Sequence, residues 1–582
     1  MGSRPLTAVA LLTLVAALGA CTNNKKGEDE PGVDTNRQAS GAIATDPKDS
    51  TGPAPEVPGA AKGGTVTVIR QTKISHLDPQ RVYSFVGLNA SQLYARRLTT
   101  FKDDGQGHVT LVGDLATTPG TDVNKDCKTW QFTVKDGVKF EDGTRITATD
   151  IAYGIARSFD LSLTGGPTYI QEWLAGTPQF DTKFDFKNNK TALPPGLSVP
   201  DDKTLRLSFA KPHCDLPFAA SLPATAPVPA AKDTGTQYDS KPVASGPYKI
   251  TKNEAGTQIT MERNTAWDPV TDAVRHQYPD SFVWSFGPDP VTQTNRIIAD
   301  GGADQTAVSW NGVDPSLVSK VVGDASLKDR IIQAPTPQHF TLTINNQRVT
   351  DLKVRQALNY AIDRDGLIKT LGGATFAAPV TTLMPPATIG WKNYDAYPAG
   401  RSGDPDKAKQ LLGGATKELV LAFPDDATNQ AVSTHLKGNL EKAGFKITLK
   451  AIPADSFLDE TKKQDNPWDM YIGSWGADWP SGAAILPVLY DGRAIKDDGS
   501  NNGASYLNAP ALNAEFDRIL ALPTEQQGTE WAKLDEKIMR DYAPVVPLYV
   551  QVMFTLRGSK VDGVFVDSIF GSPAFVNAYV KH

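Results

Sequence analysis

The chain has 582 residues, of which 40% are hydrophobic, and a formal net charge of −6. A single core rarely supports a chain of this length, so two or more lobes are expected. The mild acidity and the lack of any block rich in Lys and Arg argue against a nucleic-acid-binding surface.

Residues 1–20 have the features of a lipoprotein signal peptide. The apolar run is too short to span a bilayer, and it ends in Leu18-Gly19-Ala20-Cys21, which resembles a lipobox. Cleavage before Cys21 would leave a lipid-modified cysteine at the mature N-terminus. No later run of 18 or more apolar residues follows, which predicts a protein anchored at the outer face of the cytoplasmic membrane, on the extracellular or periplasmic side.

Residues 21–64 are predicted to be a flexible tether behind this anchor. The stretch is rich in Gly, Ala, Pro and polar residues and contains no aromatic side chain. Such a composition buries too little apolar surface to offset the loss of chain entropy on folding.

Cys127 and Cys214 remain once Cys21 is assigned to the lipid. Cys127 precedes a strand-like run at 130–134, and Cys214 follows another at 205–209. If these strands are antiparallel neighbours, the two sulfur atoms lie close together, and an oxidising compartment then favours a disulfide. Two free buried thiols are the alternative.

The folded part is predicted to begin with a strand at 65–69 and to contain one helix over 352–371. From residue 404 onward helices and strands alternate. The predicted order is a helix between Asp404-Pro405 and Gly413, a strand at 419–422, a helix closed by Gly444, strand 445–449, a helix, and strand 470–474. This order indicates a parallel sheet covered by helices, and therefore an α/β fold.

The last of these strands runs into Trp475-Gly476-Ala477-Asp478-Trp479. A carboxylate just beyond the carboxyl end of a strand lies where α/β sheets bind ligands. Indole rings on both sides suit a ligand with one ammonium group and a variable, partly apolar body, as in free peptides. The alternative is that Asp478 is a turn residue, which Asp favours on local grounds.

No catalytic or metal-binding motif accompanies this segment. None of the seven histidines is paired at i, i+4, and there is no Cys-x-x-Cys, nucleophile elbow or phosphate loop. The number of carboxylates alone does not exclude a pair of catalytic carboxyl groups like that of glycosidases. The sequence therefore predicts a protein that is not an enzyme and that uses neither a metal nor a cofactor.

A series of short motifs runs in one order from residue 65 to the C-terminus. They are Leu77-Asp78-Pro79, Trp130–Thr144, Ser245-Gly246-Pro247-Tyr248-Lys249, Asn345-Asn346, Val354–Leu358, Ala361–Arg364 and Pro547-Leu548-Tyr549. Together they resemble extracellular solute-binding protein family 5, the oligopeptide- and dipeptide-binding proteins of ABC importers. Most of these residues are expected to stabilise the scaffold and not to contact ligand.

The resemblance implies a two-lobed, periplasmic-binding-protein-like fold that closes on its ligand. Lobe I would comprise residues 65–335 and 550–582, and lobe II residues 336–549. An extended peptide would lie between two short backbone segments, which are Tyr83-Ser84-Phe85 and Trp475-Gly476-Ala477. Asp478 would pair with the peptide's α-ammonium group, and the bulky Trp479 would shorten the accepted ligand.

The implied protein is a monomer that delivers peptides with a free N-terminus to permease subunits. Members of the family also bind nickel complexes, haem, opines or oligosaccharides, and Asp478 favours an amine-bearing ligand over these. A lipid-anchored hydrolase and a sensory or chaperone-like surface protein are alternatives from other classes. The hydrolase lacks a recognisable nucleophile–base pair.

Overall fold

The computed structural model describes residues 40–254, 256–496, 501–503 and 505–582. The predicted signal peptide and the predicted lipid attachment at Cys21 lie outside these residues. Within the described ranges, no helix combines the length and the apolar character needed to cross a bilayer.

Residues 40–64 pack on the folded part, which differs from the flexible tether predicted for 21–64. The strand Ser40–Ile43 lies parallel to His108–Gly113. The buried hydroxyl of Ser50 accepts a hydrogen bond from the Gly113 N–H at 2.8 Å. The amino-acid composition of residues 40–64 did not predict this packing, because hydrogen bonds between backbone groups depend little on side-chain identity.

A five-stranded sheet forms the centre of the N-terminal part. Its strands, in spatial order, are Ala307–Ser309, Thr65–Arg70, Ser281–Phe286, Gln258–Arg263 and Tyr248–Glu254. The first two pairings are parallel and the last two antiparallel. The predicted strand at 65–69 therefore lies inside this sheet, where its alternating valines are fully buried.

A separate four-stranded antiparallel sheet holds the two cysteines together. Its order is Thr121–Asp122, Thr129–Thr133, Thr204–Ser208 and Leu197–Asp201. Thr129 lies opposite Ser208, so the start of one strand faces the end of the other. The structure contains the predicted Cys127–Cys214 disulfide, which joins positions 87 residues apart.

The C-terminal part is built on a six-stranded sheet. Its order is Ala377–Pro379, Val545–Leu556, Ile331–Ile344, Met470–Trp475, Lys417–Pro424 and Phe445–Ile452. The last three strands are mutually parallel, as the alternating pattern predicted. The first three join them through antiparallel pairings that the local sequence pattern did not reveal.

Three further small sheets complete the strands of the described part. Thr99–Asp103 pairs with His108–Gly113, Val561–Asp562 with Tyr579–Val580, and Phe565–Val566 with Pro573–Ala574. The α-helices are Phe85–Tyr94, Ala148–Arg157, Tyr169–Ala175, Leu216–Ala219, Pro290–Ala299, Val318–Gly323, Leu352–Ala361, Arg364–Thr370, Pro405–Leu412, Ala427–Lys442, Phe457–Thr461, Leu486–Tyr490, Pro510–Leu520 and Thr524–Tyr542.

The single helix predicted over 352–371 is two helices, Leu352–Ala361 and Arg364–Thr370. The carboxylate of Asp363 accepts from the Gly366 N–H at 2.8 Å and caps the second helix. An N-cap residue has an extended backbone, so it interrupts a helix whose apolar spacing continues. The helix Pro405–Leu412 has the predicted bounds, with Asp404 as its N-cap residue.

Candidate ligand-binding site

Asp478 lies just beyond the sheet, where the predicted strand Met470–Trp475 ends. Trp475 is paired with His339 at the end of the ladder, and the chain then leaves the sheet through Gly476. Asp478 is only 9% exposed. A strand thus delivers the carboxylate to a largely buried position at its carboxyl end.

Two tyrosine hydroxyls hold this carboxylate. Tyr83 donates to Asp478 Oδ2 at 2.8 Å, and Tyr169 donates a short hydrogen bond to the same oxygen. Among the described residues, no hydrogen bond reaches Oδ1 and no Lys, Arg or His forms an ion pair with Asp478. Burial raises the pKa of Asp478, and the bonds from Tyr169 and Tyr83 oppose that rise. Within the described part of the chain, the site therefore presents one carboxylate oxygen with neither a hydrogen-bond partner nor a counter-charge.

The segment Tyr83-Ser84-Phe85 meets the residues around Asp478. Ser84 caps the helix Phe85–Tyr94 by accepting from the Gly87 N–H at 3.3 Å. This cap fixes Tyr83 and Phe85, which are 38% and 36% exposed. A Cβ atom at Gly476 would lie 2.6 Å from Cζ of Phe85, so the ring packs directly on the glycine. The structure thus brings both sequence-predicted segments together.

The two tryptophans that flank Asp478 have different surroundings. The Trp475 indole is partly buried and donates to the Ala484 carbonyl at 3.0 Å. Trp479 is 2% exposed and donates to Asp215 Oδ2 at 2.9 Å. Its ring packs edge-on against Tyr169, with 4.8 Å between the centroids. Trp479 therefore supports one of the tyrosines that hold Asp478 and presents no free ring face.

Sequence reasoning missed Tyr169, Asp215 and Arg70. Tyr169 and Asp215 follow no strand and carry no motif, so no local signal pointed to them. Arg70 is the last residue of the strand Thr65–Arg70. Ligands bind at the carboxyl ends of strands in α/β sheets, and this rule, which selected Asp478, also points to Arg70. It lines a cavity of about 300 Å³ beside Phe85, and its buried Nε has no hydrogen-bond partner in the described part.

The described residues contain no group of three or more His, Cys, Asp or Glu side chains that could hold a metal ion. The features that stand out are the lone carboxylate, its two tyrosine donors and the apolar surfaces around them. A buried carboxylate without a counter-charge is more stable with a cationic partner than alone.

This chain belongs to the bacterial extracellular solute-binding proteins of family 5, whose middle region matches residues 110–497. It is accordingly a solute-binding protein and not an enzyme, as the sequence predicted. Its α/β fold is the two-lobed fold of periplasmic binding proteins.

Two relatives show the extent of the similarity. The periplasmic oligopeptide-binding protein OppA of Salmonella typhimurium is 26% identical over 565 residues, covering 92% of this chain and 95% of its own length. A probable peptide ABC transporter periplasmic-binding protein of Sinorhizobium fredii is 23% identical, covering 88% and 95%. Among solved structures, a clavulanic acid biosynthesis oligopeptide-binding protein superposes with a TM-score of 0.83 at 25% identity, covering 95% and 99%.

Proposed function

We propose that this protein captures peptides with a free N-terminus and delivers them to the permease subunits of an ABC importer. The observation that carries the proposal is the buried Asp478 carboxylate, which has tyrosine donors on one oxygen and no counter-charge among the described residues. A peptide α-ammonium would bind the free oxygen and stabilise the ionised form. A neutral oligosaccharide or haem offers no such primary ammonium group.

The surroundings of Asp478 support an extended ligand. Gly476 and Ala477 follow the last sheet-paired residue and precede the carboxylate. In this proposal their backbone groups would pair with a peptide strand. Phe85 packs on Gly476, and a bound peptide would therefore have to displace this ring. The names of the relatives, which are peptide-binding proteins, agree with this class of ligand.

Residues 65–335 with 550–582 would form lobe I, and residues 336–549 lobe II. The strands Ile331–Ile344 and Val545–Leu556 run side by side through both proposed lobes. Their ladder is interrupted between Pro335 and His339. The chain would cross between the two proposed lobes at two adjacent places, and the strand pairing is interrupted there. We infer that these crossings form the hinge about which the lobes close.

Anchoring at Cys21 is the remaining part of the proposal, and it rests on the Leu-Gly-Ala-Cys junction. Cys21→Ser should release the protein to the medium or leave the precursor uncleaved. Fractionation with an antibody measures both outcomes. A Cys21→Ser protein that is processed and membrane-bound like wild type would rule the anchor out.

Mass spectrometry of ligand retained through mild purification tests the main proposal. Peptides with unmodified N-termini are the expected ligands. Calorimetry with a peptide and its N-acetylated form gives the second readout, in which acetylation should abolish most of the affinity. Equal affinities for the two forms would show that Asp478 does not bind the N-terminus.

A further inference from the structure

The turn His213-Cys214-Asp215 lies next to the candidate site and is tied to the N-terminal part by the disulfide. Cys214 is bonded to Cys127, and the His213 N–H donates to the Cys127 carbonyl at 2.8 Å. Cys214 and Asp215 are buried. A covalent bond and a backbone hydrogen bond thus fix the position of this turn.

Two residues of the turn form hydrogen bonds to residues far along the chain. The Trp479 indole N–H donates to Asp215 Oδ2 at 2.9 Å, and the Thr524 hydroxyl donates to the Cys214 carbonyl at 2.8 Å. In the proposed division, Asp215 and Cys214 belong to lobe I, whereas Trp479 and Thr524 belong to lobe II. The turn therefore bonds to the opposite lobe at two points.

The third residue of the turn supports the helix that carries Tyr169. The His213 ring stacks on Trp173, with 4.4 Å between the centroids and 14° between the ring planes. Trp173 and Tyr169 lie in one short helix, and the Tyr169 hydroxyl donates to Asp478. The turn thus contacts both the tryptophan that follows Asp478 and the helix that holds the carboxylate.

We infer that the turn 213–215 is a clasp that holds the two lobes closed and positions the residues around Asp478. The disulfide then contributes to ligand binding and not only to stability. If ligand is held in the closed form, its apparent affinity falls in proportion to the fraction of protein that is closed. Loss of the clasp should therefore weaken binding in a protein that is still folded. The effect on ligand rests on the proposed peptide function, whereas the effect on closure does not.

Calorimetry and small-angle X-ray scattering test this inference. Asp215→Ala removes the acceptor of the Trp479 indole, and Thr524→Val removes the donor to the Cys214 carbonyl. Each variant should bind tri-, tetra- or pentaalanine several-fold to about tenfold more weakly than wild type, the loss expected for one hydrogen bond. Without ligand, each should have a larger radius of gyration than wild type. Asp215→Asn keeps an oxygen acceptor and the shape of the side chain, so it should bind like wild type.

Cys127→Ser/Cys214→Ser tests the part of the disulfide. Under conditions in which circular dichroism shows this variant to be folded, its peptide affinity should fall several-fold and the bound peptide should dissociate faster. Wild-type affinity and dissociation rate in this folded variant would show that the disulfide serves stability alone.

Trp267→Phe is the matched control. The Trp267 indole donates to Asp272 Oδ2 at 3.2 Å, so the variant removes an indole–carboxylate bond that lies within the N-terminal part. It should keep the affinity and the radius of gyration of wild type. If Trp267→Phe changes both as much as Asp215→Ala does, the losses come from general destabilisation and the inference is wrong.

The two readouts separate this inference from the peptide function. If alanine peptides bind wild type, and Asp215→Ala and Thr524→Val match it in affinity and radius of gyration, the clasp is disproved and the peptide function stands. If no peptide binds, but both variants have a larger radius of gyration than wild type and Trp267→Phe, the peptide function fails and the clasp stands.

Discussion

At the scale of single residues, Asp478 is the group on which ligand binding should depend most. Asp478→Asn keeps the shape and removes the charge, and breaking a buried ion pair costs about 3–5 kcal/mol. Peptide affinity should therefore fall a few hundred-fold or more. N-acetylation of the peptide removes the same contact, so its effect and that of the substitution should not add.

Calorimetry on wild type and Asp478→Asn, each with free and acetylated peptide, completes this double-mutant cycle. Additive losses would mean that the carboxylate and the ammonium group act independently. In that case Asp478 would be a turn residue, and the ligand would be held elsewhere.

The tyrosines that hold Asp478 set the pH range in which it can bind a cation. Removing the Tyr169 hydroxyl in Tyr169→Phe deletes a bond that lowers the pKa of Asp478. The carboxylate then protonates at a higher pH, so the loss of peptide affinity on acidification should begin at a higher pH than in wild type. At neutral pH we expect a several-fold loss, about 1 kcal/mol or more.

Tyr153→Phe provides the control for this experiment. The Tyr153 hydroxyl donates to Asp233 at 2.9 Å, so the variant removes the same kind of bond from a carboxylate outside the candidate site. Its peptide affinity should match wild type at every pH. If Tyr169→Phe and Tyr153→Phe shift the binding profile equally, the tyrosine bonds to Asp478 have no specific role.

At the scale of secondary-structure elements, the disulfide joins the ends of two paired strands. Cys127 precedes Thr129–Thr133 and Cys214 follows Thr204–Ser208. The closed loop is long, so the chain-entropy model predicts that Cys127→Ser/Cys214→Ser lowers the free energy of unfolding by up to about 4–5 kcal/mol.

Urea unfolding of wild type and the double variant, with and without reductant, measures this loss. Reductant should destabilise wild type and leave the double variant unchanged. Complete thiol labelling of both cysteines in denatured, unreduced wild type would show that the bond does not form.

At the scale of the whole molecule, hydrogen bonds join the residues before 335 to those after 336. Besides the tyrosine bonds to Asp478, the Trp479 indole donates to Asp215 and the Thr524 hydroxyl donates to the Cys214 carbonyl. The disulfide therefore lies next to the residue that receives Trp479. These bonds therefore connect the neighbourhood of the disulfide to the residues around Asp478.

Asp215 should give the stability of the protein a measurable pH dependence. Burial raises the pKa of Asp215 to about 6, whereas an unfolded aspartate titrates near about 3.9. Between these values the native state binds more protons, so the free energy of unfolding falls as pH rises from about 4 to 6. The loss is on the order of 2–3 kcal/mol, and Asp215→Asn should remove it.

Urea midpoints measured from pH 4 to 8 test this expectation. Asp535→Asn is a suitable control, because burial raises the pKa of Asp535 to about 7 while its bonds go to Tyr394 and to the backbone of Leu383 and Met384. That variant should retain the fall in stability assigned to Asp215. An unchanged slope in Asp215→Asn would show that Asp215 is ionised in the folded protein at low pH.

The sequence by itself determined the features that depend on neighbouring residues or on a motif. Apolar spacing and capping residues located the helix Pro405–Leu412 and the parallel strands that lead to Trp475. The order of short motifs identified the family, and the strand-end rule selected Asp478. These signals are local because hydrogen bonds within a helix and alternation along a strand involve residues close in the chain.

Only the tertiary structure decided what surrounds that carboxylate. Tyr83 and Tyr169 lie 395 and 309 positions from Asp478 in the chain, and no local pattern encodes contacts at such separations. The same holds for the antiparallel strands Ile331–Ile344 and Val545–Leu556, whose pairing depends on register across the fold. A sequence pattern can place a carboxylate at the end of a strand. Its burial, its hydrogen-bond donors and the lack of a counter-charge in the described part of the chain arise from packing between distant segments.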